Sequence, residues 1–409
     1  MFLEKNKRIS SGSLSHKAWS KFKKQPTGMA ALIFILIAIF IAIFAYYVIP
    51  DKTPDANQQI LELATQKPGF RVKVLKIRKN ENSVSVSLLH WLLYGKRSNY
   101  KIVPVDSIFF EKGNLIAKIY DPDEENIYKK FSIADILYPV KGKEKISGTD
   151  IYATLITGKV IKLNLLQAER EILNNNVKTR TYLLGTDQFG RDLLSRLILG
   201  TRVSISVGFI SVAISLLVGI ILGSIAGFYG GKVDELISWF INVVWSVPTL
   251  LLVIAITFAL GKGFWQIFLA VGLTMWVEVA RIIRGQMLSA KNMDYVEAGR
   301  SLGFSNFRLI FKHILPNILS PVIVISAANF AAAILIEAGL SFLGIGVQPP
   351  MPSWGSMIKE YYSYIVLHAA YLAIIPGIAI ILMVMAFMTL GNSLRDALDV
   401  KTETGILQG

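Results

Sequence analysis

The residues equipped for bond-making chemistry are few and scattered. There is no cysteine, and the four histidines, His16, His90, His313 and His368, lie far apart. Thiol catalysis, disulfides and thiolate metal sites are therefore excluded, and no histidine pair stands at ligand spacing. No His-Glu-x-x-His occurs. Gly344-Ile345-Gly346 resembles a phosphate loop only superficially, since no soluble strand precedes it and no Lys-Ser or Lys-Thr follows. Two acids sit inside apolar runs, where an ionisable side chain is costly and marks function. Glu278 precedes Arg281 by three residues and is expected to pair with it, a structural role. Glu337 lies near the outer end of its run, where it either lines a path or reaches the interface. Two polar clusters remain, one at 187–192 and one at 294–303, and both suit binding and coupling rather than catalysis.

The elements that must carry these clusters are membrane spans. The chain has 409 residues, 53% hydrophobic and 17% charged, against about 25% charged in a soluble globular protein. Residues 28–49 contain no charge and as a helix extend about 33 Å, enough to cross a bilayer. The run is too long for a signal-peptide core, and no small-x-small cleavage pattern follows Tyr46 and Tyr47, so it reads as a retained anchor. Five more apolar stretches follow at 203–229, 236–261, 263–283, 318–340 and 369–390. Lys5, Lys7, Arg8, Lys17, Lys21, Lys23 and Lys24 against Glu4 hold the N-terminus in the cytoplasm. Six crossings then place the basic loop between the fourth and fifth runs, with Arg281, Arg284, Lys291, Arg300, Arg308 and Lys312, inside as well. The short outer loops offer only Lys262 and Lys359. These cations account for much of the +15 net charge without nucleic acid.

The expected organisation is a cytoplasmic segment 1–27, a first transmembrane helix 28–49, an extracytoplasmic insert 50–181, a five-helix domain 182–391 with a cytoplasmic loop 285–317, and a cytoplasmic tail 392–409. The stretch from 51 to 180 holds 22 Lys and Arg against 15 Asp and Glu. Alternation at 71–78, 83–88 and 115–120, with turns near Asn80, Lys112 and Lys141, predicts a β-rich domain whose role is open between a docking surface and a stabilising cover.

In the cytoplasmic loop, Asp294 and Glu297 have capping-box spacing, Gly303 can end the helix in the left-handed conformation, and Ser305 can cap a second helix before Pro316 turns into the next span. Tyr295, Ala298 and Leu302 share one side of this hairpin, which either docks to a partner or packs on the membrane helices. The outer segment 185–196 reads as an amphipathic interfacial helix with Thr186 or Asp187 as N-cap and Leu193, Leu194 and Leu197 facing lipid or protein. Its Asp187, Arg191 and Asp192 are expected to ion-pair or meet headgroups, with Gly190 part of the same outer interfacial motif. Residues 348–355 hold three prolines, cannot be helical, and suit a gate or docking loop that includes Gln348 and Trp354. Pro248, Pro321 and Pro376 can kink their helices.

Glu297-Ala298-Gly299, then Gly303, then Leu315-Pro316 resembles the EAA loop of ATP-binding-cassette importer permeases, departing at Gly299, where Ala is usual, and at His313, where Ile is. Together with 185–196, 339–355 and Leu394-Arg395-Asp396-Ala397-Leu398-Asp399, the chain resembles the C subunit of oligopeptide, dipeptide and nickel importers from Tyr182 to Asp399 and over the first anchor. The insert is longer than in most of that family. The resemblance implies an all-α polytopic membrane protein with six transmembrane helices, the type I importer permease fold, in the bacterial cytoplasmic membrane with both termini inside. It implies half of a translocation pore for oligopeptides or dipeptides, with nickel or another small solute as the alternative. The expected partners are a homologous sister permease, two ATP-binding-cassette ATPase subunits, an extracytoplasmic substrate-binding protein and membrane lipid. No cofactor is expected on this chain, ATP and Mg being held by the ATPase subunits. The resemblance makes Tyr295, Glu297, Ala298, Gly299, Gly303 and Pro316 the coupling residues. A membrane enzyme is disfavoured by the missing ligand set, and a secondary transporter by the lack of paired broken helices and midplane ion ligands.

Overall fold

The computed structural model describes residues 14–81, 85–121, 126–142, 144–261 and 263–398. Lys5, Lys7, Arg8, Lys262 and the tail beyond Leu398 lie outside the described residues. Helix α1 (Leu14–Lys23) ends in Lys21 and Lys23, and α2 (Pro26–Ile43) starts on Pro26, whose fixed φ suits a first helical turn. After one irregular residue, Phe44, comes α3 (Ala45–Val48).

The insert is β-rich, as its alternation predicts. In order it contains β1 (Phe70–Arg78), α4 (Leu88–Tyr94), β2 (Tyr100–Glu111), β3 (Asn114–Ile119), β4 (Tyr128–Ser132), α5 (Ile133–Leu137), β5 (Lys145–Ser147), β6 (Asp150–Thr154), β7 (Val160–Asn164), α6 (Leu165–Glu171) and β8 (Val177–Tyr182). An antiparallel sheet of order β4-β3-β2-β1-β8 packs with the small sheet β5-β6-β7 around Leu75, Val105, Leu115, Ile133, Ile136 and Ile151. Along β3 every second residue, Leu115, Ala117 and Ile119, is buried, the period of a half-buried strand. Of the strand expected at 83–88, residues 83 and 84 lie outside the described residues, 85–87 form no strand, and Leu88 opens α4 instead. The consecutive apolar pairs of Leu-Leu-His-Trp-Leu-Leu-Tyr do not alternate, so a strand would leave half of them on a polar face. Phe70 pairs with Tyr182, so the chain enters and leaves the insert at neighbouring points.

The second run is the 37-residue helix α7 (Leu193–Tyr229), about 55 Å long and so longer than a bilayer core. The third run is not one straight helix. It forms α8 (Gly231–Trp245) and α9 (Thr249–Leu260), bent by 92° across Ser246, Val247 and Pro248. Pro248 lacks the N–H a continuous helix would use there, and its ring clashes with the preceding turn. The remaining elements are α10 (Phe264–Ala290), α11 (Asp294–Ser301), α12 (Asn306–Arg308), α13 (Leu319–Phe342), α14 (Trp354–Tyr361) and α15 (Tyr371–Leu398). Among the described residues, five helices are long and apolar enough to cross a membrane, or six spans result if the bent pair counts as one. Residues 392–398, expected in the tail, belong to α15.

Helices in lipid gain little from apolar burial against one another and associate through close van der Waals packing, which small residues permit. Gly219, Gly223 and Gly227 form such a stripe on α7. A Cβ on each would come within 2.5–2.8 Å of the backbone carbonyls of Trp276, Ala280 and Arg284 on α10. Gly208 faces the Phe330 ring of α13, which stacks on Phe387 of α15. The same α15 packs on α2, where Gly28 lies against Ser393.

Candidate functional site

At the end of α10 opposite the insert, the chain folds back through α11. Its N-cap is Met293, with no side-chain cap, so Asp294 is the first helical residue and the expected capping box is absent. The helix ends in a Schellman motif: the Phe304 N–H donates to Gly299 O (3.0 Å), the Gly303 N–H donates to Arg300 O (2.9 Å), and Gly303 is left-handed at φ 76°. Ser305 accepts from the Arg308 N–H and caps α12, which runs through a π turn (Leu309–Ile314) and a 3-10 turn (Leu315–Ile318) containing Pro316 into α13. Val296 and Gly299 point inward onto Leu309, Ile310, Ile314 and Met287. Phe304 stacks on His313 and carries the Arg308 guanidinium 3.9 Å from its ring.

That packing leaves Tyr295, Glu297, Ala298 and Leu302 exposed together, with Leu302 73% and Phe307 72% open. Of the two readings open for the Tyr295 stripe, packing on the membrane helices is not what the fold shows: Val296 and Gly299 do that, and the stripe faces away. The Glu297 carboxylate makes no ion pair among the described residues.

The outer segment is also rearranged. Residues 185–192 form a closed turn rather than an interfacial helix. Asp192, not Thr186 or Asp187, caps α7 by accepting from the Ser195 N–H (2.9 Å). Asp187, Arg191, Asp192 and Arg196 are all buried, so none meets headgroups. Asp187 accepts from the N–H groups of Phe189 and Arg191, from Arg191 Nε (2.5 Å) and from the Tyr361 hydroxyl (2.9 Å). Arg191 Nη2 and Arg196 Nη2 both reach Glu360 of α14, at 2.5 and 3.3 Å. Two guanidiniums and two carboxylates thus balance in one buried cluster, which tolerates charges only because they are paired and hydrogen-bonded. Burial raises the Asp192 carboxyl above its ordinary range against the lowering bonds of Ser195. Burial works to depress the Arg191 guanidinium, but Tyr361, Asp187 and Glu360 outweigh it and hold it above its usual value. Burial also raises the Tyr361 hydroxyl, and lifts Tyr182 to about 12. Gly190 is left-handed, and a Cβ there would overlap the Ile60 carbonyl. Glu360, Tyr361 and Arg196 complete this cluster and were not singled out by sequence, because Glu360 and Tyr361 are remote along the chain.

The residues expected on a path or gate are mostly interior. Glu337 has no exposed surface. It accepts from the Ser341 hydroxyl at 2.7 Å and the Ser204 hydroxyl at 3.4 Å, tying α13 to α7, and so lines no path here. Trp354 is buried against Gly200, donates to Leu197 O (3.1 Å) and begins α14, so the end of 348–355 is helical and this ring is a packing pin. Gln348 is exposed and donates to Gly346 O.

The acid that does reach the surface within a span is Glu278. The expected Glu278–Arg281 pair does not form: Arg281 donates to Asn242 Oδ1 (2.9 Å) and lies 3.5 Å from the Trp245 ring centre. Glu278 borders a cavity of about 160 Å³ at the break between α8 and α9, shared with Trp245, Thr249, Thr274 and Asn329. The Asn329 amide nitrogen is buried there without a hydrogen-bond partner. Both acids were visible as mid-run charges; only packing separates the interior Glu337 from the open Glu278.

Residues 219–404 match the family described as binding-protein-dependent transport system inner membrane component, and residues 13–68 match the N-terminal transmembrane domain of oligopeptide transport permease C. The glutathione transport system permease protein of Pectobacterium atrosepticum is 40% identical over 56% of this chain and 76% of its own length. The oligopeptide transport system permease protein of Bacillus subtilis is 40% identical over 58% of this chain and 76% of its own. An inward-facing structure of a methionine ABC transporter aligns at 16% identity and a TM-score of 0.43, over 50% of this chain and 97% of that one.

Proposed function

This chain belongs to the binding-protein-dependent transport system inner membrane components, the permease subunits of ATP-binding-cassette importers, and on that premise we propose that it carries short peptides inward through a pore shared with a sister permease. It is a multi-pass membrane permease and not itself an enzyme. The observation that carries the coupling role is the outward face of α11. A helical hairpin locked by a Schellman motif presents Tyr295, Glu297, Ala298 and Leu302 away from the bundle, a short amphipathic knob suited to a groove on an ATPase subunit. Gly299 and Gly303 set its shape, and Pro316 joins it to α13, so a movement of the knob passes to that span. ATP and Mg belong to the ATPase subunits in this reading, the N- and C-termini lie on their side, and a substrate-binding protein delivers cargo from the other.

Relatives named for glutathione and oligopeptides favour a peptide cargo. The test is uptake of radiolabelled trialanine into proteoliposomes holding the full transporter with ATP inside, for the native chain and for Glu297→Lys. The native complex accumulates peptide only with ATP, and the variant assembles but loses most ATP-dependent uptake. Uptake of nickel ion instead of peptide would reassign the cargo, and undiminished coupling in Glu297→Lys would remove the role given to α11.

A further inference from the structure

We propose that α4 of the insert lies in the bilayer leaflet on the insert's side and that the basic cavity beside it seats the headgroup of an anionic phospholipid. Arg202 sets the depth of α4. It immediately precedes the uncharged stretch 203–229 of α7, the position of a residue at the edge of the hydrocarbon. Its guanidinium donates to four carbonyls, Ala42 (2.7 Å) and Ile43 (3.0 Å) at the end of α2 and Leu92 (3.0 Å) and Leu93 (2.7 Å) at the end of α4. One side chain therefore fixes α4 at the depth where the first span ends.

At that depth α4 buries none of its seven side chains against protein, and Leu88 is 76% exposed. Tyr47 and Val48 are exposed alongside, so the apolar surface continues from the span onto the helix. An apolar patch of this kind marks a membrane or protein contact. Continuity with the end of a span and the Trp, Tyr and His content of α4 favour the interface of a membrane. The contact is built rather than incidental: Gly95, left-handed at φ 75°, brings the end of α4 against Tyr46, where a Cβ would stand 2.6 Å from the ring, and the Lys96 N–H donates to Lys52 O (2.9 Å).

Beside α4 opens a cavity of about 570 Å³ bordered by Trp91 and by Lys52, Lys76, Lys96, Arg97, Lys178 and Arg180. The one acid on its wall, Asp51, already accepts from Thr53 and Gln58. Six cations around one space repel unless an anion neutralises them, and a phosphate diester next to an interfacial helix is such an anion. The proposal rests on the membrane depth of α4 and holds whatever cargo is carried; which face of the membrane this is follows from the orientation proposed above.

Because the chain lacks cysteine, Leu89→Cys carries its only thiol and takes a bimane label. The full-length chain is placed in nanodiscs of phosphatidylcholine and phosphatidylglycerol with brominated acyl chains. The label is expected to emit blue-shifted and be quenched several-fold more than one on Tyr128→Cys in β4; equal, water-like signals would overturn the placement of α4. Native mass spectrometry then counts retained lipid. Phosphatidylglycerol should be retained over phosphatidylcholine by the native chain and by Lys96→Arg/Arg97→Lys, and the preference should fall several-fold in Lys96→Gln/Arg97→Gln. No preference in the native chain, an unchanged preference in the Gln variant, or displacement of the lipid by inorganic phosphate would overturn the headgroup site.

Discussion

Asp187 accepts four hydrogen bonds and stands 3.7 Å from a second guanidinium while exposing no surface. Removing its charge strands Arg191 and Arg196 with only Glu360 to balance them, and breaking a buried pair costs about 3–5 kcal/mol. Asp187→Asn should therefore lower the apparent melting temperature of the purified chain clearly, and an unchanged melting curve would show that the cluster does not hold the fold. The residue types of this cluster were readable, but its purpose was not, since Glu360 lies more than 160 positions away. Glu278 is the converse case, assigned by spacing to Arg281 and found open beside an unpartnered amide. A mid-span carboxylate without an ion pair requires water or a polar neighbour. In the transporter, Glu278→Cys is expected to react with a membrane-impermeant thiosulfonate much faster than Leu273→Cys on the same helix, and equal, slow reaction would remove it from an aqueous path.

Local signals decided which elements could be anticipated. Gly303 and Ser305 bracket the turn of the hairpin after α10 because capping is a property of a few neighbouring residues. Asp294 misled because Met293 takes the cap position without a side-chain bond, leaving the acid one residue inside the helix. The third run reads as one continuous stretch since it is apolar throughout; Pro248 signals a kink, but the sequence does not give its size, 92° across 246–248. Glycine positions on α7 were readable as packing, but their opposite number was not, because it takes the fold to set Gly223 against the Ala280 carbonyl. Gly223→Leu must push α7 off α10 along this seam, and overpacking of that kind costs about 1–3 kcal/mol or more when backbone is the obstacle. Lower yield of folded chain and earlier thermal unfolding are expected; wild-type stability would show that the stripe is slack.

Across the whole molecule, two polar parts flank one apolar bundle. The insert hangs from the adjacent strands β1 and β8 and is tied to the spans by Arg202 bonding α4, by the Asp51 N–H donating to Ser195 Oγ of α7 and by the Tyr371 hydroxyl of α15 donating to Gln66 O. Its β character was legible in the alternation of 71–78 and 115–120, whereas α4 was not, being held in place by long-range bonds rather than by its own pattern. At the opposite end, the exposed face of α11 is where the proposed function has an ATPase subunit engage the bundle. The most direct measurement attaches a photo-activatable benzophenone to Ala298→Cys in this cysteine-free chain and illuminates the assembled transporter with and without ATP. A cross-link to the ATPase subunit whose yield changes with ATP is the predicted result. Absence of that cross-link in a complex that still imports peptide on ATP would contradict the account.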